Sequence, residues 1–172
     1  FNYGCLPQEL VEKIISLAKS HNVMLAADSQ SSSQIGNISR FSGMDLLTPT
    51  EREARISLRN SEDGLVVLAE HLRNQSSAKN IILKIGEEGV LIHASDSNSS
   101  EGWVTDRVDA LNLSPKDVAG AGDSLLISSA LTLAVGGDIW EATLIGSLAA
   151  AIQVSRVGNT PLRSRELLQE LT

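Results

Sequence analysis

Residues 116–126 read KDVAGAGDSLL, in which Gly120, Ala121 and Gly122 stand where an apolar helix begins and a carboxylate, Asp123, follows at once. Successive backbone N–H groups at a helix start form an anion site, and missing side chains let an anion lie against bare backbone. Asp123 falls in the first turn of that helix. There it complements the helix dipole, as acids at helix starts commonly do. It is equally placed to act as a general base beside a point where negative charge develops. Local chemistry leaves both readings open. Asp117 either caps the same turn or adds a second carboxylate to it.

Two more residues carry the same ambiguity. Lys84 lies in the apolar run IILKIG, an unusual place for lysine. It either reaches solvent from a strand end or meets a phosphate. Glu53, in EREAR, belongs to a solvated helix face or, by its position after TPT, to the same site. His21, His71 and His93 lie far apart and read as surface or internally satisfied histidines. Trp103 and Trp140 read as packing residues.

Several chemistries are excluded. The Walker pattern GxxxxGK[ST] is absent. GAGDSL lacks the third glycine of a dinucleotide fingerprint and follows a late strand rather than the first. No HExxH, cysteine pair or histidine cluster offers zinc ligands. The single cysteine, Cys5, cannot close an internal disulfide, which fits a reducing cytoplasm. A formal charge of −7 argues against nucleic acid or an anionic membrane as the main partner, though not against a small phosphorylated ligand. No apolar run is long enough to span a bilayer. The start, FNYGCLPQEL, lacks Met and the charge pattern of a signal peptide, and predicts a portion of a longer chain.

The elements that must position these residues follow from periodicity. With 172 residues and 42% hydrophobic composition, the chain can form one domain with a core. Helical spacing runs from Pro7 to Ser20, and VMLAAD (23–28) reads as a short buried strand. SQSSSQIGNISRFSG is a polar loop. DLLTP (45–49) is a second strand stopped by Pro49, a short helix follows from Thr50, and 61–75 is an amphipathic helix with Ser61 as candidate N-cap. IILKIG (81–86), GVLIHA (89–94) after a tight GEEG turn, and WVTDRV (103–108) are further strands, with SDSNSSEG a surface loop between the last two. Helices at about 122–135 and 138–155, separated by Gly136-Gly137 and capped by Asp138, precede a last one at about 163–171. This alternation predicts an α/β fold, a largely parallel sheet with helices on both faces. In such folds ligands sit beyond the carboxyl ends of the strands. Asp28, Thr48-Pro49-Thr50, Lys84-Ile85-Gly86 and the GAGD turn all fall there.

At this point the wording resembles a known family. KDVAGAGDSLL resembles the DTxGAGDxF signature of the ribokinase-like, PfkB-type carbohydrate kinases. DLLTPTEREA is similar to the family's N-x-x-E segment, ILKIGEEGVLI to its strand–glycine–strand element, AAAIQVSRVGNTPL to its nucleotide-side helix and loop, and FNYGCL to its D-Y-x-x-G-x-L. Among members, the wording is closest to heptose-phosphate kinases of lipopolysaccharide-precursor synthesis. The resemblance covers nearly all of the chain but only the C-terminal half of a typical member. It implies a partial ribokinase-like fold in which residues 1–172 form the nucleotide-binding part and the sugar-binding, lid-bearing part is absent. The implied activity is phosphoryl transfer from ATP to a sugar or sugar phosphate, with this portion inactive alone and a homodimer as the assembly.

The resemblance also implies roles. Asp123 would be the catalytic base, and the N–H groups of Ala121, Gly122 and Asp123, with Gly120 giving clearance, would form the anion hole. Glu53 would order Mg²⁺ through water. Lys84, Gly86 and Gly89 would lie along the triphosphate and ribose. Ser155, Gly158 and Asn159, in the loop 155–159, would flank adenine and, with Asp117, form the region where many relatives hold K⁺. Three places depart from the pattern. Val118-Ala119 replaces a threonine pair whose hydroxyls help shape the cation site, Thr50 stands where the motif has Asn, and SQSSSQ follows Asp28 where heptose kinases have Pro-Lys. Two other readings fit the residues: a nucleoside or vitamin kinase of the same superfamily, and a degenerate, non-catalytic binding or assembly module.

Overall fold

The computed structural model describes residues 6–28 and 37–171. The predicted roles of FNYGCL and SQSSSQ lie outside the described residues, apart from Leu6. Five strands form one sheet in chain order: β1 (Ala26–Ala27), β2 (Leu46–Leu47), β3 (Asn80–Lys84), β4 (Val90–Ser95) and β5 (Trp103–Val108). β1, β2 and β3 are parallel, and β4 pairs antiparallel to both β3 and β5. β4 alone therefore runs against the other four strands, because GEEG folds into a tight 3-10 turn (Gly86–Glu88) that leaves no room for a crossover helix.

Side-chain alternation divides the interior in two. Leu47, Ile81, Leu83 and Leu91 face α1 (Gln8–Ser20), α2 (Glu51–Leu58) and α3 (Leu65–Ser76), where Ile15, Ala54, Leu68 and Leu72 meet them. Leu46, Ile82, Val90 and Ile92 face α4 (Ala121–Ala134) and α5 (Ile139–Val154), packing on Leu125 and Ile139. The predicted helices on both faces are thus present, with α6 (Ser164–Glu170) closing the chain. α4 and α5 approach closely because Gly146 has no side chain; a Cβ there would lie 2.1 Å from Ser129 Oγ, which donates to Ala142 O.

Several boundaries differ from expectation: the first three strands are Ala26–Ala27, Leu46–Leu47 and Asn80–Lys84, and two further differences have a local cause. The N-cap of α3 is Gly64, not Ser61. Asn60 Oδ1 accepts the N–H groups of Glu62 and Asp63, and Arg55 Nη1 donates to Asp63 O, so residues 60–63 are held as a turn. The predicted strand at 89–94 begins at Val90, because Gly89 (φ +94°) belongs to the turn. The Asp138 cap is as expected and forms a full capping box with Glu141.

One buried polar cluster joins α3 to the sheet. His93, fully buried, has Nε2 2.7 Å from Glu70 Oε2 and Nδ1 2.8 Å from Thr105 Oγ1, with Trp103 stacked beside it. A neutral ring with its proton on Nε2 satisfies both contacts. Trp103 is accordingly a packing residue and His93 a satisfied one, as expected. Burial lowers the His93 pKa below its ordinary 6.5, and the Arg73 guanidinium pulls Glu70 from 4.5 to about 2. Both groups bind protons less readily folded than unfolded, so each favours the fold above its unfolded pKa and loses that contribution as pH falls. The melting temperature is therefore expected to fall as pH drops below His93's unfolded 6.5 and again below Glu70's unfolded 4.5, towards about 2. Calorimetry across that range checks this, and His93→Gln should remove the upper step.

Candidate functional site

By strand alternation Asp28 shares the face of Ala26, and Lys84 that of Ile82, so both point towards the α4–α5 layer past the strand ends. They meet: Lys84 Nζ lies 2.6 Å from Asp28 Oδ2, each side chain only 17% exposed. The pair sits directly under the start of α4. A Cβ on Gly122 would stand 3.2 Å from Lys84 Nζ and 3.7 Å from Asp28 Oδ2. The Lys84 backbone is fixed by a bridge to Thr50 and by its N–H donating to Pro49 O.

Around these groups opens a cleft of about 630 Å³. Lys84, Gly86, Gly89, Ala121 and Gly122 are among its lining residues. Its remaining surface is largely aliphatic, with Leu111, Leu113 and Val118 among the contributors. Ser147, also on the wall, has a buried Oγ without a hydrogen-bond partner. A buried hydroxyl left unpaired facing a cleft is a place for a ligand's polar atom.

The GAGD turn opens α4 at the end of the loop 109–120 that follows β5. Gly120 is the N-cap of α4 with φ +79°, a conformation glycine adopts freely. The first-turn N–H groups of a helix lack intrahelical acceptors. Ala121 departs from its expected role, because its N–H donates back to Val118 O at 3.3 Å. Gly122 and Asp123 remain as the first-turn donors. The clearance at Gly120 also serves another purpose than expected: a Cβ there would lie 2.2 Å from Asn159 Oδ1, so the space holds the Asn159 amide. Asp123 is exposed in the first turn.

Asp117 binds the turn to the loop after α5. Its Oδ1 accepts the Ala119 N–H at 3.0 Å, and its Oδ2 accepts the Gly158 N–H at 2.9 Å. These backbone donors hold its carboxyl below the usual carboxylate range. Ser155 Oγ turns back onto Ile152 O rather than outward. Glu53 is nearly buried at the head of α2. It forms a reciprocal capping box in which Thr50 N–H donates to Glu53 Oε2 at 2.7 Å and Glu53 N–H donates to Thr50 Oγ1 at 3.2 Å. Thr50, a departure from the family wording, is thereby the residue that holds Glu53 in place.

Three participants make contacts here that the sequence did not signal. Asp28 carried no hint of its pairing with Lys84, since the two are brought together only by sheet register. Ser147 reads as one more small residue in an apolar helix. Gln153 reads as an ordinary polar helix position, yet it is buried behind the GAGD turn.

Comparisons with known proteins bear on the family and the fold. A family model described as pfkB family carbohydrate kinase matches residues 3–165. "Bifunctional protein HldE" of Helicobacter hepaticus is 27% identical over 172 residues, covering 98% of this chain and 33% of that protein. Among solved structures, ribokinase from Thermotoga maritima aligns with a TM-score of 0.72 and 26% identity over 94% of this chain and 53% of its own. Escherichia coli phosphofructokinase-2, in a complex with potassium, aligns with a TM-score of 0.76 at 19% identity, over 95% of this chain and 51% of its own, a likeness of fold. The chain spans about a third of the curated relative and about half of each solved structure. Among the described residues, no helix is long and apolar enough to cross a membrane.

Proposed function

Because this chain belongs to the pfkB family of carbohydrate kinases, we propose that it is the nucleotide-binding, base-bearing part of an ATP-dependent kinase acting on a sugar or sugar phosphate, its sugar-binding part lying elsewhere in a longer protein. The observation that carries this reading is the stacking of the Lys84–Asp28 pair against Gly122, at a helix N-terminus that opens into the cleft. Phosphoryl transfer asks a protein for alignment and neutralisation of charge more than for covalent help. These groups supply both.

In this reading the triphosphate runs along Lys84 and Gly86 with the transferring group at the Gly122 and Asp123 N–H donors. The lysine is held rather than freely mobile, because Asp28 fixes its ammonium group. Asp123, exposed beside those donors, accepts the proton of the attacking sugar hydroxyl. The aliphatic walls and Ser147 receive the base, with Val154, just before the loop 155–159, at its flank.

Magnesium fits the donor set. This ion keeps several waters and takes one or two carboxylates together with substrate phosphates. Among the described residues, no group of three or more acidic, histidine or cysteine side chains forms a dedicated metal cage. Glu53, fixed by Thr50, would hold the ion through water. When bound, Mg²⁺ would neutralise charge developing on the phosphate oxygens.

The test is transfer of the γ-phosphoryl group of ATP by the complete natural protein across a panel of sugars, sugar phosphates, nucleosides and vitamin alcohols. Phosphorylation within the first two classes is the expected result. Transfer confined to the last two would replace the acceptor assignment. Nucleotide binding without transfer to any acceptor would favour the non-catalytic module.

A further inference from the structure

Behind the GAGD turn lies a buried polar knot that the transfer reading leaves unused. Gln153, 1% exposed, extends from the last turn of α5, and its Nε2 donates to Ala119 O at 3.1 Å and to Gly158 O at 3.2 Å. Its Oε1 accepts from Arg156 Nη2 at 3.0 Å. The guanidinium is itself held by Thr160 O and by Glu166 Oε1, at 2.7 Å and 2.9 Å. Asp117 spans the same two segments, accepting from the N–H groups of Ala119 and Gly158. The two loops are therefore joined twice over, once through their N–H groups and once through their carbonyls.

This is the region where the family resemblance places potassium. Carbonyl oxygens hold K⁺ by replacing its hydration shell. Here two of the available carbonyls already face an NH₂ group, and both Asp117 oxygens face N–H donors. Val118-Ala119 contributes no hydroxyl. A cation among these oxygens would also meet the positive end of the Gln153 amide dipole and the Arg156 guanidinium behind it. The donor set does not fit the ion.

We propose that the Gln153 carboxamide is a built-in substitute for a monovalent cation, bridging the carbonyls of the two loops and making this site independent of potassium. A carboxamide has two N–H donors, and each of the two carbonyls takes one. The bridge is covalently part of the chain, so the turn that presents Gly122 and Asp123 keeps its shape whatever the salt. The idea rests on the kinase reading only for what the turn does. The bridge itself can be tested without any turnover.

The experiment melts the complete protein in KCl, NaCl and tetramethylammonium chloride at equal ionic strength, with ATP-dependent transfer followed in the same salts. The wild type is expected to melt at one temperature and to transfer at one rate in all three. A rise in melting temperature or rate specific to K⁺ overturns the proposal. Gln153→Ala is expected to melt lower in every salt, because two part-buried carbonyls lose their donors. It should then recover a few degrees in KCl alone, as a protein does when its folded state gains a ligand. A variant that responds alike to all three salts overturns the substitute role. Should Gln153→Ala not fold, Gln153→Glu serves: it keeps the size but turns a donor into an acceptor, and its melting should become K⁺-dependent. Melting that stays salt-independent in that variant also overturns the proposal. Because melting does not require transfer, a failure of the kinase reading would appear as absent turnover and remain separate from these outcomes.

Discussion

Asp123→Asn in the complete protein is expected to lower kcat for phosphoryl transfer by about 10²–10⁴-fold, the range over which a positioned general base contributes. The substitution keeps the size of the side chain and its place in the first turn of α4. It also leaves the backbone N–H groups of Gly122 and of the substituted position available to an anion, so ATP affinity should be unchanged. The two readings of this residue separate here. A carboxylate that only complements a helix dipole contributes about 0.3–1 kcal/mol to stability and nothing to turnover. Steady-state kinetics with a calorimetric Kd for ATP decides between them: near-normal kcat would leave Asp123 a helix-start acid and remove it from the chemistry.

Gly89→Ala should be the most damaging single-methyl change in the site. Gly89 has φ +94° and ψ −128°, a conformation that side chains do not tolerate. A Cβ there would lie 2.2 Å from Val108 O and 2.6 Å from Ala110 N. Both are backbone atoms at the exit of β5, so no side chain can swing away to relieve the contact. Val90 pairs with Val108 in the next register position, which ties the clash to the β4–β5 ladder. Backbone strain and overpacking each cost about 1–3 kcal/mol, so a loss of about 3 kcal/mol or more is expected. Urea unfolding should show the midpoint fall with an unchanged slope. Nucleotide affinity should fall with it, since Gly89 lines the cleft. Gly86→Ala is the control: Gly86 has φ +67° with open space where a Cβ would go, so only the conformational cost of about 1–2 kcal/mol applies. A Gly89→Ala variant no less stable than Gly86→Ala would show that the β5 exit yields easily.

What could be read from the sequence was the local signal. Periodicity found the helices and strands, because Ile81, Ile82 and Leu83 in a row can be satisfied only by cores on both sides of a sheet. The GAGD turn was legible as an anion-friendly helix start, but its local chemistry left Asp123 ambiguous, and only the resemblance to a family motif pointed to phosphoryl transfer. The site's finer wiring was not legible, because it depends on register and on side chains that meet across long chain separations. Asp28 and Lys84 join only because parallel strands end at one level. The Ala121 N–H is lost to Val118 O through a turn geometry that the residue types alone do not announce. Gln153 shows the limit most plainly. Its position in an apolar helix is ordinary, and its place in the fold comes from two carbonyls, one in the loop just after it and one 34 residues before it.

The double fastening of the segment around Gly158 to the segment around Ala119 also decides which parts of this molecule can travel. Asp117 joins the two loops, and neither can swing without breaking charge-assisted bonds to its carboxylate. These bonds predict that the two loops move together with the start of α4 rather than independently. In the kinase reading proposed above, this braced wall would be the fixed side of the site, and any part that closes over the ligands would have to move towards it.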